Sequence, residues 1–237
     1  MKIKQLTSVL LAAGVTAIAP ALHAAELEVS VQNLTRGIYF TPILIAAHTP
    51  GQQLFNVGEA ASAELQEMAE GGNITGLAEA TEAMGADNVI NPAGGLLMPT
   101  ATTSTTLSTA DTNTALSIVA MMLPTNDGFI GLNSWEIPTE AGTYTIYINA
   151  YDAGTEANDE IRGGGAPGVP GLPVPPPLED LVGTGGSGVT AEITNDTVHI
   201  HPGNLGDDDA EGGMSDVSNT VQRWLNPVAR VTVTVSE

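Results

Sequence analysis

The sequence predicts an all-β protein, an antiparallel β-sandwich of about eight strands with a short helical insertion. Three observations predict it. Near the start, Leu27, Val29 and Val31 alternate with Glu26, Glu28, Ser30 and Gln32, the two-residue period of a strand with one wet face. The chain closes on a matching run, with Ala229, Val231, Val233 and Val235 on one side and Arg230, Thr232 and Thr234 on the other. Between the two, short strand-like runs recur with Gly, Pro and Asn-Asp turn signals separating them. That pattern favours a sandwich over a barrel, although periodicity alone does not separate the two. At 237 residues and 42% hydrophobic, the chain has enough apolar material for one large β domain.

The first element in order is a leader. MKIKQLTSVLLAAGVTAIAPALHA places Lys2 and Lys4 before an apolar run and then small residues, the pattern of a secretory signal peptide, with cleavage expected after Ala24. The run is too short and too rich in Ala to read as a retained membrane span. The expected products are a 1–24 signal peptide and a 25–237 domain that is secreted or periplasmic, with no transmembrane segment.

After the first strand, Ile43 to Ala47 is a second apolar run, bounded by Pro42 and Pro50. The period then lengthens. Ala61, Leu65 and Met68 fall at helical spacing, Gly71 is placed to end that helix, and Asn73 or Thr75 can cap a second one reaching Met84. Leu96 to Thr109 is rich in Thr, which suits a strand but hides its register. Ala115 to Leu123 is apolar on both faces, as a central strand covered on each side should be. A turn at Pro124 to Phe129 leads to a short strand, and Thr143 to Tyr151 alternates cleanly. Gly163 to Gly188 is dominated by Gly and Pro and is expected to be a long, flexible, exposed loop. Thr197 to His201 returns to strand and breaks at Pro202-Gly203.

Composition excludes several functions. With no cysteine there is no disulfide, no thiolate metal site and no Cys nucleophile. The formal net charge is -21, and loss of Lys2 and Lys4 with the leader makes it more negative by two, leaving a chain whose only basic residues besides His are Arg36, Arg162, Arg223 and Arg230. Such a surface repels nucleic acid phosphates. No nucleophile elbow, zinc-protease helix, phosphate loop or dinucleotide fingerprint is present, so the protein is expected to be non-catalytic.

Two groups of residues point to cations. The strand ending at Leu123 leads into a turn carrying Asp127, and the strand ending at Tyr151 leads straight into Asp152, with Glu156 four residues on. Two strands thus deliver carboxylates at their ends, and calcium takes six to eight oxygens from carboxylates, carbonyls and water. Asn and Asp are also turn formers in their own right, so the same residues read as plain turns too. The second group is His199 and His201. If Val198 and Ile200 face the core, both imidazoles share the outer face roughly 6.5 to 7 Å apart and can bind zinc or copper. Their competing reading is polar strand surface, and the acidic run Asp207 to Glu211 reads as a solvated loop.

The run PTNDGFIGL, followed later by YDAGTE, resembles the spondin N-terminal domain, the module at the front of F-spondin and mindin and found in exported bacterial proteins. That family has a Pro-Ser-Pro-Asp-Trp-Phe-Val-Gly type turn and a later Asp-Ala-Gly-Thr-Asp. LFNVGEAAS, AEGG and the closing NPVARVTVTV fit the same order. This chain departs from the animal pattern in Gly128, in Glu156 for the second Asp, in lacking cysteine and in its Gly/Pro insertion. The resemblance implies an eight-stranded antiparallel sandwich, similar to calcium-dependent membrane-binding sandwich domains, with calcium at one end held by Asp127, Asp152 and Glu156. It further implies an exported binding or adhesion module whose partner is an extracellular protein or glycan. The alternative is a transition-metal-binding protein or metalloenzyme using His199 and His201.

Overall fold

The structure is a computed structural model that describes residues 24–236. The expected signal peptide falls, all but its last residue, outside the described residues.

The alternating ends of the chain pair with each other. β1 (Glu26–Asn33) runs antiparallel to β12 (Ala229–Val235), with Leu27 opposite Val235 and Val31 opposite Val231. The two apolar faces therefore coincide, which a register slip of one residue would destroy. The intervening strands are β2 (Tyr39–Phe40), β3 (Leu44–His48), β4 (Asp87–Ile90), β5 (Thr102–Ser108), β6 (Ala115–Leu123), β7 (Gly128–Glu136) and β8 (Gly142–Asp152). The main sheet has the order β4-β3-β6-β7-β8-β12-β1-β5. Its neighbours are antiparallel throughout. The sheet curls until β4 and β5 come back alongside each other, an all-β architecture nearly closed into a barrel.

The sheet is covered on both sides. Inside the curl, Val29, Val31, Ile118, Ala120, Ile130, Ile148, Val231 and Val233 form one core. On the outer face, Val119, Met121, Leu123 and Phe129 form a second. β6 supplies both, and all nine of its residues are buried, which explains its unbroken apolar run. The helices α1 (Ala63–Gly71) and α2 (Thr75–Ala83) cover the outer core with Leu65, Met68 and Leu77. Ser62 caps α1 by accepting the N–H of Leu65 at 3.1 Å, and the left-handed residue that ends it is Gly72, at φ 70°, one position beyond the glycine expected.

The Gly/Pro-rich segment completes that cover. Regular structure there is limited to β9 (Arg162–Gly163), its parallel partner β10 (Leu172–Pro173) and a short 3-10 turn at Pro176–Leu178. Leu172, Leu178 and Val182 are nonetheless buried in the outer core. The segment is therefore not exposed along its length: apolar residues spaced among the prolines dock on the sheet where a hydrogen-bond ladder cannot form.

Candidate functional site

Both acidic turns lie at one end of the sheet, because Gly128, which opens β7, pairs with Asp152, which closes β8. Asp127 immediately precedes Gly128. Thr125 shapes the first turn, its hydroxyl accepting the N–H of Gly128 at 3.0 Å and donating to the Met122 carbonyl at 2.6 Å. No side chain fits at Gly128, where a Cβ would lie 2.7 Å from the Thr125 hydroxyl and 2.9 Å from the His201 ring. This accounts for the absence of the aromatic found in the animal pattern.

The second turn wraps around Asp127. One of its oxygens, Oδ2, accepts the N–H of Thr155 at 2.8 Å, the N–H of Glu156 at 3.1 Å and the Thr155 hydroxyl at 3.2 Å. The other, Oδ1, is buried without a partner. Asp152 accepts the Gly154 N–H at 2.8 Å and the Asn158 side-chain amide at 2.6 Å. Glu156 is divided like Asp127: Oε2 accepts from Asn126 at 3.3 Å and from the Gly171 N–H at 3.1 Å, whereas Oε1 is buried and unpartnered.

Among the described residues these acids have no arginine or lysine partner. Among the described residues, the ion pairs within 4 Å are Arg162 with Glu179 and His199 with Asp152. Burial accordingly pushes the Asp127 carboxyl up to about 7, reinforced by the charge of Asp152 and opposed by the N–H groups of Thr155 and Glu156. Burial likewise raises Glu156 to about 7, opposed by Asn126 and Gly171 and reinforced by Glu70 and Asp127. Asp127 is thus repelled by Asp152, and Glu156 by Glu70 and Asp127. Among the described residues no three His, Cys, Asp or Glu side chains are grouped to hold a metal ion. A cation at this end would have to draw on backbone carbonyls and water as well, as calcium does.

The histidines are arranged differently from the sequence expectation. Val198 is buried, but Ile200 is 47% exposed and His201 is buried against Trp224, their rings 4.9 Å apart. The strand expected at 197–201 shrinks to β11 (His199–Ile200), so its alternation does not carry through to His201. The His199 Nδ1 lies 2.7 Å from the Thr197 carbonyl, which fixes the proton there and leaves the lone pair on Nε2, 3.8 Å from Asp152. The His201 Nδ1 accepts the Gly203 N–H at 3.0 Å, so the neutral ring carries its proton on Nε2. Burial holds His201 down to about 4, with Asp152 raising and His199 lowering it. The two rings therefore do not offer two lone pairs to one ion.

Sequence reasoning missed three neighbours. Asn126 bridges the turns, donating to Glu156 and to Asp159 and accepting the Glu160 N–H. Buried Glu160 accepts the Leu205 and Gly206 N–H groups and the Ser215 hydroxyl. Buried Glu70 accepts from Gln66 and from the Gly168 N–H. The position of Asn126 beside Asp127 was the one available signal.

Residues 32–162 match the family model described as Spondin_N. The chain belongs to the spondin N-terminal domain family. The match includes both acidic turns and stops where the Gly/Pro segment begins. No curated protein matches the chain. Spondin N-terminal domains are extracellular modules of a non-enzymatic kind. Among the described residues no helix is long and apolar enough to cross a membrane.

Proposed function

We propose that this spondin-type domain is an exported, calcium-binding, non-catalytic binding or adhesion module, with the ion at Asp127, Asp152 and Glu156 and an extracellular protein or glycan as partner. The observation that carries the reading is the pair of buried, unpartnered oxygens, Oδ1 of Asp127 and Oε1 of Glu156, at an end with no arginine within pairing distance of either acid. Burying even a neutral polar group without a partner costs on the order of 2–7 kcal/mol, and an ionised carboxylate costs more. A divalent cation offsets that cost and supplies the missing positive charge. Calcium is favoured over magnesium because irregular turns suit a flexible shell of carboxylates, carbonyls and water better than a strict octahedron. A transition-metal site on His199 and His201 has less support, since His201 is buried with its proton on the nitrogen a metal would need.

The deciding experiment is thermal melting of the mature domain in EDTA and in millimolar calcium. A ligand that binds only the folded state raises its stability by about 2.7 kcal/mol at a hundredfold excess over Kd. A clear rise in Tm with calcium, absent in Asp127→Asn, is expected. Identical melting in EDTA and calcium overturns the reading.

A further inference from the structure

Beside the acidic turns lies a cavity of about 310 Å³. Asp152, Glu156 and Glu160 line it, as does Trp224, together with the apolar side chains of Ile193, Leu205 and Leu225. Of the four lining carboxylates Glu192 is exposed; the other three are buried, and none of these has an arginine within 4 Å, although His199, also in the lining, lies 3.8 Å from Asp152. Arg223 also lines the cavity but makes no ion pair among the described residues. The apolar lining residues are the reverse: Ile193 is 48%, Leu205 58% and Leu225 84% exposed. Two further groups lack partners. Glu156 is 6% exposed with Oε1 unbonded, and Trp224 is 8% exposed with its indole N–H unbonded.

We infer that this cavity is a docking site for a polypeptide partner that inserts a lysine or arginine side chain flanked by apolar residues. Each part of the wall selects against a different occupant. A metal ion alone leaves the exposed apolar lining bare, and an apolar segment alone covers the carboxylates with nothing to neutralise them. An anionic lipid surface meets like charge on a chain of net charge -21. A lysine or arginine carries a positive head on an apolar stem, satisfying the acidic and the apolar lining together, and Trp224 offers an aromatic surface to the cation. A peptide also brings backbone carbonyls, the acceptor type that the Trp224 N–H lacks.

The inference does not rest on calcium, since Asp127 is not part of the cavity wall. Asp152 and Glu156 are common to both sites, so calcium should weaken the peptide and not recruit it. The test is fluorescence anisotropy with a labelled Leu-Lys-Leu peptide, its norleucine counterpart lacking the charge, and the whole mature domain, in EDTA and in calcium. Saturable binding in EDTA, at least about tenfold weaker for the norleucine peptide, weakened by salt and by Leu225→Ser, is expected. Because Leu225 is so exposed, that substitution leaves folding intact, which an unchanged Tm checks. Equal binding of the two peptides, binding that requires calcium, indifference to both Leu225→Ser and Leu205→Ser, or binding to phosphatidylserine vesicles in place of the peptide overturns the inference. Failure of the calcium reading is seen separately, as unchanged melting.

Discussion

Asp127 accepts the backbone N–H of Glu156 at 3.1 Å, so the turn after β6 and the turn after β8 form a single hydrogen-bonded unit. The same carboxylate keeps its second oxygen buried and unbonded. Any group that binds that oxygen acts on both turns together.

The pH dependence of stability follows from the direction of the shifts. Asp127 and Glu156 rise to about 7 in the folded state from ordinary values near 4. Between these limits the folded chain binds more protons than the unfolded one, so stability falls as pH rises from about 4 to about 7. His201, lowered to about 4, has the opposite slope up to about 6.5, where an unfolded histidine titrates. Two carboxylates against one imidazole leave a net decline. In EDTA, Tm should be higher at pH 5 than at pH 7.5, and calcium should flatten the difference. Melting curves across pH, with and without the ion, check this.

Replacing Asp127 separates charge from shape. Asp127→Asn keeps an acceptor for the Thr155 and Glu156 N–H groups and removes the charge that Asp152 opposes. Its stability in EDTA at pH 7.5 should equal or exceed that of the parent, with no calcium response. Asp127→Ala leaves two N–H groups unbonded and should cost about 1–3 kcal/mol. Urea unfolding of both variants measures the difference.

Gly154 sits at φ 72°, and a Cβ there would lie 2.7 Å from the backbone of Asp196 and Thr197. Gly154→Ala should therefore destabilise by about 1–3 kcal/mol and weaken calcium binding by displacing the Asp152 turn. Calorimetric titration with calcium and urea unfolding report the two effects.

Leu178 tests whether the Gly/Pro segment belongs to the fold. Its side chain is fully buried in the outer core, so Leu178→Ala should cost about 2–5 kcal/mol. An exposed, freely moving segment would tolerate the change, and chemical denaturation distinguishes the outcomes.

The parts of this fold that were legible in sequence are those whose residues report their own surroundings. β1 and β12 alternate because each has one solvated face, and β6 is continuously apolar because both of its faces are covered. Asp127 and Asp152 stood out because turn chemistry and motif spacing coincide at strand ends. β4 went unseen because none of its four residues is buried, so it has no apolar side to show. The histidine strand was misread because two residues of pairing are too few to enforce alternation, and Trp224, distant in sequence, captures the His201 ring instead. Glu70 and Glu160 gave no local sign, since their acceptor roles depend on Gly168, Leu205 and Gly206 in distant loops.

The pairing of β1 with β12 has a consequence for how the domain can be held. Leu27 lies opposite Val235, and Val235 in turn lies opposite Gly142, where β8 begins, whereas Asp152 is where β8 ends. Residues 24 and 236 therefore emerge side by side at the pole farthest from the acidic turns. A tether at either terminus points the carboxylates away from the anchor, and force applied across the two termini opens the β1–β12 pair first, like a zip, before it reaches the other pole.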